Sequence, residues 1–96
     1  MLLDRERELN AELAAASADR DTAQARNREH IERLIPAAQA RLRMAQAGYS
    51  AGKLPLSAVW EARRGSIDVD LEHWAIRSDL LRAALRLDYL VAGTDQ

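Results

Sequence analysis

Apolar side chains recur at helical spacing through two long stretches of this 96-residue chain, separated by one short segment rich in chain-breaking residues. Gly48, Gly52 and Pro55 fall in that segment. Glycine at a helix end and proline at a helix start are common boundary signals. The pattern predicts a helix over about residues 4–49, a tip loop over about 50–55 and a helix over about 56–91. Because a loop this short makes the helices antiparallel neighbours, we predict that residues 1–96 form one long all-α helical hairpin, an antiparallel coiled coil.

Pro36 interrupts the first predicted helix. Proline lacks a backbone N–H and clashes with the carbonyl four residues earlier, so it either kinks a helix or ends it. The apolar series on both sides keeps helical spacing, which favours a kink near Pro36 in one helix over two separate helices. The residues of that series are Ile31, Leu34, Ala38, Leu42, Ala45 and Tyr49.

The second predicted helix carries two apolar stripes, whereas a helix in an isolated hairpin needs only one. The first stripe contains Val59, Ala62, Ser66, Val69, His73, Ile76, Leu80, Ala83, Leu87 and Leu90. The second contains Trp60, Ile67, Leu71, Trp74, Leu81, Leu85 and Tyr89. Two stripes predict two sets of neighbours, so we expect the hairpin to belong to a larger assembly of helices and the isolated chain to self-associate.

The composition argues against several classes of function. Hydrophobic residues make up 48% of the chain and charged residues 30%, but aromatic residues only 4%, a balance typical of long helices. The formal net charge of -1 argues against a nucleic-acid partner. The chain has no cysteine for disulfides or thiolate metal sites, and no run of about 18 apolar residues that would span a bilayer. No signal peptide precedes Asp4, so we expect an exported parent to contain this sequence as an internal segment.

No catalytic signature is present: the chain lacks glycine-rich phosphate loops and the paired histidines of zinc proteases. His30 and His73 are the only imidazoles. With a reversal near Gly52, residue 30 lies opposite about residue 76, which brings the histidines within about a turn of each other, near Glu29, Glu32 or Glu72. The same register places Leu34 across from Trp74 and Ile35 across from Leu71. A metal site is one interpretation, but histidine is also a common filler of helix seams, so we predict no metal, no cofactor and no enzymatic activity.

The segment around the loop resembles the hairpin tip of the outer membrane efflux protein (TolC) family. That family shows Ala, then Tyr, then Gly, a spacer, and Val-Leu-x-Ala followed by Gln or Arg. The run Glu61-Ala62-Arg63-Arg64 is closest to the family's heavy-metal branch. The matching residues are Ala45, Tyr49, Gly52, Val59, Ala62 and Arg63, with Trp60 in the usual Leu place.

The resemblance implies a trimeric efflux channel in the outer membrane, with this segment as one hairpin of its periplasmic α-barrel. The segment would be the C-terminal hairpin of the subunit. The resemblance further implies that the tip docks a periplasmic adaptor protein, which couples the channel to an inner-membrane pump of the RND class. Transport is the implied role, and heavy metal resistance the implied setting. The implied docking residues are Gly48, Tyr49, Ser50, Gly52 and Lys53.

Three positions depart from the family pattern: Trp60, Pro55 in the turn, and Ala58 in place of an acidic gate residue. Glu61 lies three residues later, where a trimer would present a ring of three carboxylates at the pore entrance. The alternative is that Glu61 pairs with Arg63 or Arg64 on the helix surface. Both interpretations of Glu61 stay open at this point.

Two other functions fit a helical hairpin. One is the α-hairpin of the periplasmic adaptor itself, whose tip tends to carry an Arg-Leu-Ser type motif where this chain has Tyr-Ser-Ala-Gly. The other is an unrelated coiled-coil scaffold. A gene position beside pump and adaptor genes would separate these functions.

Overall fold

The computed structural model describes residues 2–94, which are helical except for one short turn. Helix α1 covers Leu2–Glu29, a π-helical turn follows at His30–Leu34, α2 covers Ile35–Ser50 and α3 covers Leu56–Thr94. Residues 51–55 connect α2 to α3. Residues 2–94 contain no strand, and the predicted fold class, an all-α helical hairpin with coiled-coil-like packing, is confirmed. Within this range no helix combines the length and hydropathy needed to cross a membrane.

The chain divides into two compact units. The turn unit consists of residues 28–75 and contains the π-helical turn, α2, the connecting turn and the first part of α3. The terminal unit consists of residues 1–27 and 76–96, of which the structure describes 2–27 and 76–94. In each unit a segment of the first helical arm packs against a segment of α3.

The first stripe of α3 forms the seam in both units. In the turn unit Val59 is buried and the remaining stripe residues are half-buried; in the terminal unit Ile76 is buried and the others are half-buried. Successive seam positions alternate in steps of three and four residues, the spacing of a heptad repeat. The second stripe is exposed at every position. The burial pattern therefore confirms that α3 has one covered and one uncovered apolar stripe.

The first arm contributes smaller and more polar residues to the seam. In the terminal unit its covered positions step by four and three residues, and in the turn unit the same steps resume after Ile35. Alanine occupies four of the five buried positions of this arm and His30 the fifth, and the small alanine side chains let the two helices approach closely. The seam positions are Leu9, Leu13, Ala16, Arg20, Ala23 and Asn27 in the terminal unit, and His30, Ile35, Ala38, Leu42 and Ala45 in the turn unit; Ser17, Ala40 and Gly48 are half-buried beside them.

The π-helical turn absorbs one extra residue in this seam. From His30 to Ile35 the step is five residues, where a heptad would have four. The Ile35 N–H donates to the His30 carbonyl, a hydrogen bond spanning five residues, which defines a π-helix. Leu34 and Ile35 keep right-handed helical φ and ψ angles, so the helix continues into Pro36 rather than ending before it. The wider turn lies where the proline ring would otherwise clash with the Glu32 carbonyl.

The predicted register across the seam is wrong. His30 lies beside His73, not opposite residue 76, with the ring centroids 6.2 Å apart. Leu71 and Trp74 are 63% and 67% exposed, so neither lies across from Ile35 or Leu34 in the seam. The π-helical turn accounts for one residue of this offset, because it holds an extra residue of the first arm between His30 and Ile35.

Candidate functional site

The tip is closed by a hydrogen-bonded turn around Gly52. This glycine has φ 72°, and it is the one described residue with a left-handed backbone. The Lys53 N–H donates to the Gly48 carbonyl at 2.8 Å, and the Gly52 N–H donates to the Tyr49 carbonyl at 3.0 Å. These two bonds form a Schellman motif, which satisfies carbonyls left open at the end of a helix. The sequence placed Gly52 in this role, and the geometry of the turn agrees.

Gly48 has a different role, because it makes room for a side chain. The Leu54 N–H donates to the Gly48 carbonyl at 3.1 Å, which folds Leu54 back over the end of α2. A Cβ atom at position 48 would lie 2.7 Å from the Leu54 Cγ, closer than any real contact. Gly48 is half-buried, and its lack of a side chain leaves room for Leu54 at the tip.

The tip presents a mixed apolar and cationic surface. Among the five residues expected to dock a partner, Tyr49, Ser50, Gly52 and Lys53 are exposed, and the Tyr49 side chain is 48% accessible. Leu54 and Leu56 are also 42% and 48% exposed beside them. The sequence pattern gives these two leucines no role at the tip, although they lie on either side of Pro55.

Glu61 lies on an exposed part of the first turns of α3. Within residues 2–94 it forms no ion pair, so the pairing with Arg63 or Arg64 that the spacing allows is not made here. The two arginines instead line a shallow groove together with Trp60 and Ile67. The carboxylate of Glu61 is therefore available to a partner or to solvent.

A histidine pair occupies the seam of the turn unit. His30 is 5% exposed, and its Nε2 atom lies 3.6 Å from an oxygen of Glu72. The Nδ1 atoms of His30 and His73 are both buried without a hydrogen-bond partner. Glu29 pairs with Arg33 at 3.0 Å instead, which leaves Glu72 as the carboxylate in ion-pair contact with His30.

A metal site is one interpretation of the two histidines. Across the described range no group of three His, Cys, Asp or Glu side chains is placed to hold a metal ion. Two imidazoles and one exposed carboxylate are instead the arrangement of polar residues fitted into a helix seam. The sequence predicted that the histidines would approach each other, and their contact is found.

Charged side chains cover the terminal unit in a balanced way. Arg86 pairs with Asp19 across the two helical segments at 3.4 Å, and Arg20 pairs with Asp21 at 3.2 Å. Such exposed ion pairs contribute about 0–1 kcal/mol each to stability and do not indicate what kind of partner would bind.

No protein-family model, curated protein or solved structure matches this chain.

Proposed function

We propose that this chain is one helical hairpin of the periplasmic α-barrel of a trimeric outer membrane efflux channel of the TolC type. Its tip docks a periplasmic adaptor protein, and its length lines the export conduit. The parent protein lies in the outer membrane, with this segment in the periplasm. The role is passive, since the hairpin supplies a wall and a docking end while the inner-membrane pump supplies the energy.

The main support for this proposal comes from the tip. Two of the residues that match the family's tip string, Tyr49 and Gly52, lie in one closed turn. Tyr49 and Lys53 are exposed there, with Leu54 and Leu56 beside them. A turn closed by backbone hydrogen bonds loses little entropy on binding, because its conformation is already fixed. The aromatic ring of Tyr49 suits a protein partner, since interface cores are enriched in aromatic residues.

The uncovered stripe of α3 supports the same proposal. In the turn unit Trp60 and Trp74 are 62% and 67% exposed, and in the terminal unit Tyr89 is 79% exposed. Monomeric proteins rarely expose runs of large apolar side chains, and such runs mark surfaces covered by a partner. In an α-barrel, the helices of neighbouring hairpins would cover this stripe.

The partners follow from this proposal. They are two further copies of the parent, the adaptor at the tip, and an RND-class pump reached through the adaptor. The Glu61-Ala62-Arg63-Arg64 run favours a channel of the heavy-metal branch, and Glu61 is our candidate for the pore entrance.

Site-directed crosslinking tests adaptor docking. A cysteine-free parent channel would carry Lys53→Cys at the tip or Met44→Cys as the control, since Met44 is 71% exposed on α2 but lies off the tip. We expect a thiol-reactive crosslinker to join Lys53→Cys to the co-expressed adaptor and to leave Met44→Cys unlinked. Crosslinking at both positions, or at neither, would contradict docking at the tip.

A resistance assay tests the transport role. Tyr49→Ala in the parent removes an exposed aromatic contact without disturbing the backbone turn, so we expect lower export with the trimer still assembled. Growth at inhibitory concentrations of exported compounds measures export, and blue native gels measure trimer assembly. Full resistance in the Tyr49→Ala strain would show that the tip does not dock through this ring.

A further inference from the structure

We propose that the exposed stripe of α3 in the turn unit binds the same stripe of a second copy of this chain, with the two segments antiparallel. We call this surface the α3 face; it consists of Trp60, Ile67, Leu71 and Trp74. The inference concerns the hairpin by itself, when no neighbouring hairpins of an α-barrel cover this stripe, so it does not rest on the proposed function.

The α3 face is large enough to hold a partner. Its four side chains are between 53% and 67% exposed. An aromatic side chain buries on the order of 150–250 Å² when it is covered. Two tryptophans, an isoleucine and a leucine from each copy therefore supply roughly 1,000 Å² or more across the pair, near the lower bound for specific interfaces.

Charge decides the orientation of the second copy. On the N-terminal side of Ile67, Glu61, Arg63 and Arg64 sum to a charge of +1. On the C-terminal side, Asp68, Asp70 and Glu72 sum to -3. A parallel pair would set the two acidic halves against each other, whereas an antiparallel pair sets each acidic half against a basic half. Opposite charges therefore select the antiparallel arrangement.

Antiparallel pairing also fixes a register. A two-fold axis close to Ile67 places Trp60 of one copy near Trp74 of the other, so that each end of the face contributes a tryptophan. On one flank it sets Arg63 of each copy near Asp70 of the other. Neither residue forms an ion pair within the described chain, so both are available for this contact. Two-fold pairing of this kind closes on itself and stops at a dimer.

Sedimentation velocity over a range of protein concentrations tests the surface. We expect the unaltered chain to form a dimer. Ile67→Asp puts two carboxylates near the axis and should raise the dissociation constant roughly tenfold or more. Met44→Asp makes the same chemical change at an exposed position of α2 and should leave the dissociation constant unchanged. A monomer at all concentrations, or an equally stable Ile67→Asp dimer, would overturn the proposal.

Disulfide trapping tests the register, and the chain's lack of native cysteine keeps the readout clean. Arg63→Cys and Asp70→Cys chains are oxidised separately and as a mixture. In the antiparallel register, like positions are offset by about 10 Å along the helix, beyond disulfide reach. We therefore expect a covalent dimer only in the mixture, carrying one chain of each variant. Efficient dimers of either variant alone would indicate parallel pairing and refute the register.

Discussion

Some residues in this molecule stabilise the fold and others destabilise it, and His30 is the clearest example of a destabilising residue. Its ring is buried in the seam with an Nδ1 atom that has no hydrogen-bond partner. Leaving a buried polar atom unpaired costs about 1–3 kcal/mol, and an apolar residue of similar size removes that cost. Its Glu72 neighbour is exposed, so losing the imidazole leaves no buried charge behind.

We therefore expect His30→Leu to raise the free energy of unfolding by about 1 kcal/mol. Urea denaturation followed by circular dichroism, at one fixed protein concentration, measures it. Gln39→Leu, at an exposed position of α2, is the control and should change the free energy by less than about 0.5 kcal/mol. A destabilised His30→Leu chain would indicate that the imidazole makes a favourable bond that the packing here does not account for.

Two glycines give a paired prediction of opposite sign. Gly52 has φ 72°, a conformation that costs an L-residue about 1 kcal/mol or more, so Gly52→Ala should destabilise the chain by that amount. Gly65 lies inside α3, and a Cβ there meets nothing within 4 Å. Gly65→Ala should stabilise by about 0.5–1 kcal/mol, because glycine is a poor helix former. Thermal unfolding midpoints that move in the same direction would contradict this account.

At the scale of the elements, the π-helical turn takes up one extra residue of the first arm within the turn unit. Along α3 the seam runs without interruption, while the first arm has one residue too many between His30 and Ile35. If the turn exists to hold that residue, then removing the residue should remove the turn. Pro36 has to be replaced at the same time, because the wide turn also accommodates its ring.

Deleting Glu32 together with Pro36→Ala should therefore leave a continuous heptad and a thermal midpoint at or above that of the parent chain. Deleting Thr22 from α1 is the control, since it shifts every seam residue on one side of the deletion by 100° around the helix. We expect that deletion to lower the midpoint sharply. Equal losses from the two deletions would show that the turn is not a register device.

The sequence predicts the elements well and the register poorly, and the reason is chemical. Breakers at Gly48, Gly52 and Pro55 place the reversal, since each has a conformational need that few other residues meet. The apolar series in the first arm misleads, however, because Ile31 and Leu34 are 51% and 40% exposed. The neighbouring residues His30 and Ile35 lie in the seam instead. Hydrophobicity alone cannot identify a seam that a polar residue helps to fill.

The same limit applies to the candidate site. The role of Gly52 follows from its residue type, since only a left-handed position explains a glycine just past a helix. The steric role of Gly48 depends on where Leu54 folds, which no local pattern specifies. Leu54 and Leu56 were overlooked at the tip because apolar residues beside a proline look like ordinary helix-start packing.

At the scale of the whole molecule, the described residues bury little. Among them no large side chain is fully covered, and both units leave the second stripe of α3 in solvent. A chain of this size with so small a core is marginal alone, and in our proposals an assembly of hairpins or a second copy would supply the missing contacts. The exposed surfaces, rather than a buried core, therefore determine which contacts the molecule can make.

Glu61 provides a test of the assembled state. In our proposal three subunits bring three Glu61 carboxylates together at the pore entrance, and a ring of carboxylates attracts cations. We expect Glu61→Gln in the reconstituted parent trimer to lower cation selectivity and weaken block by multivalent cations in single-channel recordings. Asp68→Gln, farther along α3, is a control for loss of charge alone. Unchanged selectivity in Glu61→Gln would place the carboxylate outside the pore.

The Schellman turn at Gly52 also has a kinetic consequence. The two arms meet there across only five connecting residues, so the contacts nearest the tip form at the smallest loss of chain entropy. Folding of the turn unit should begin at the tip and proceed away from it, because each seam pair that forms brings the next pair of residues closer together. Substitutions at the turn would then mainly slow folding, whereas substitutions at the far end of the unit would mainly speed unfolding.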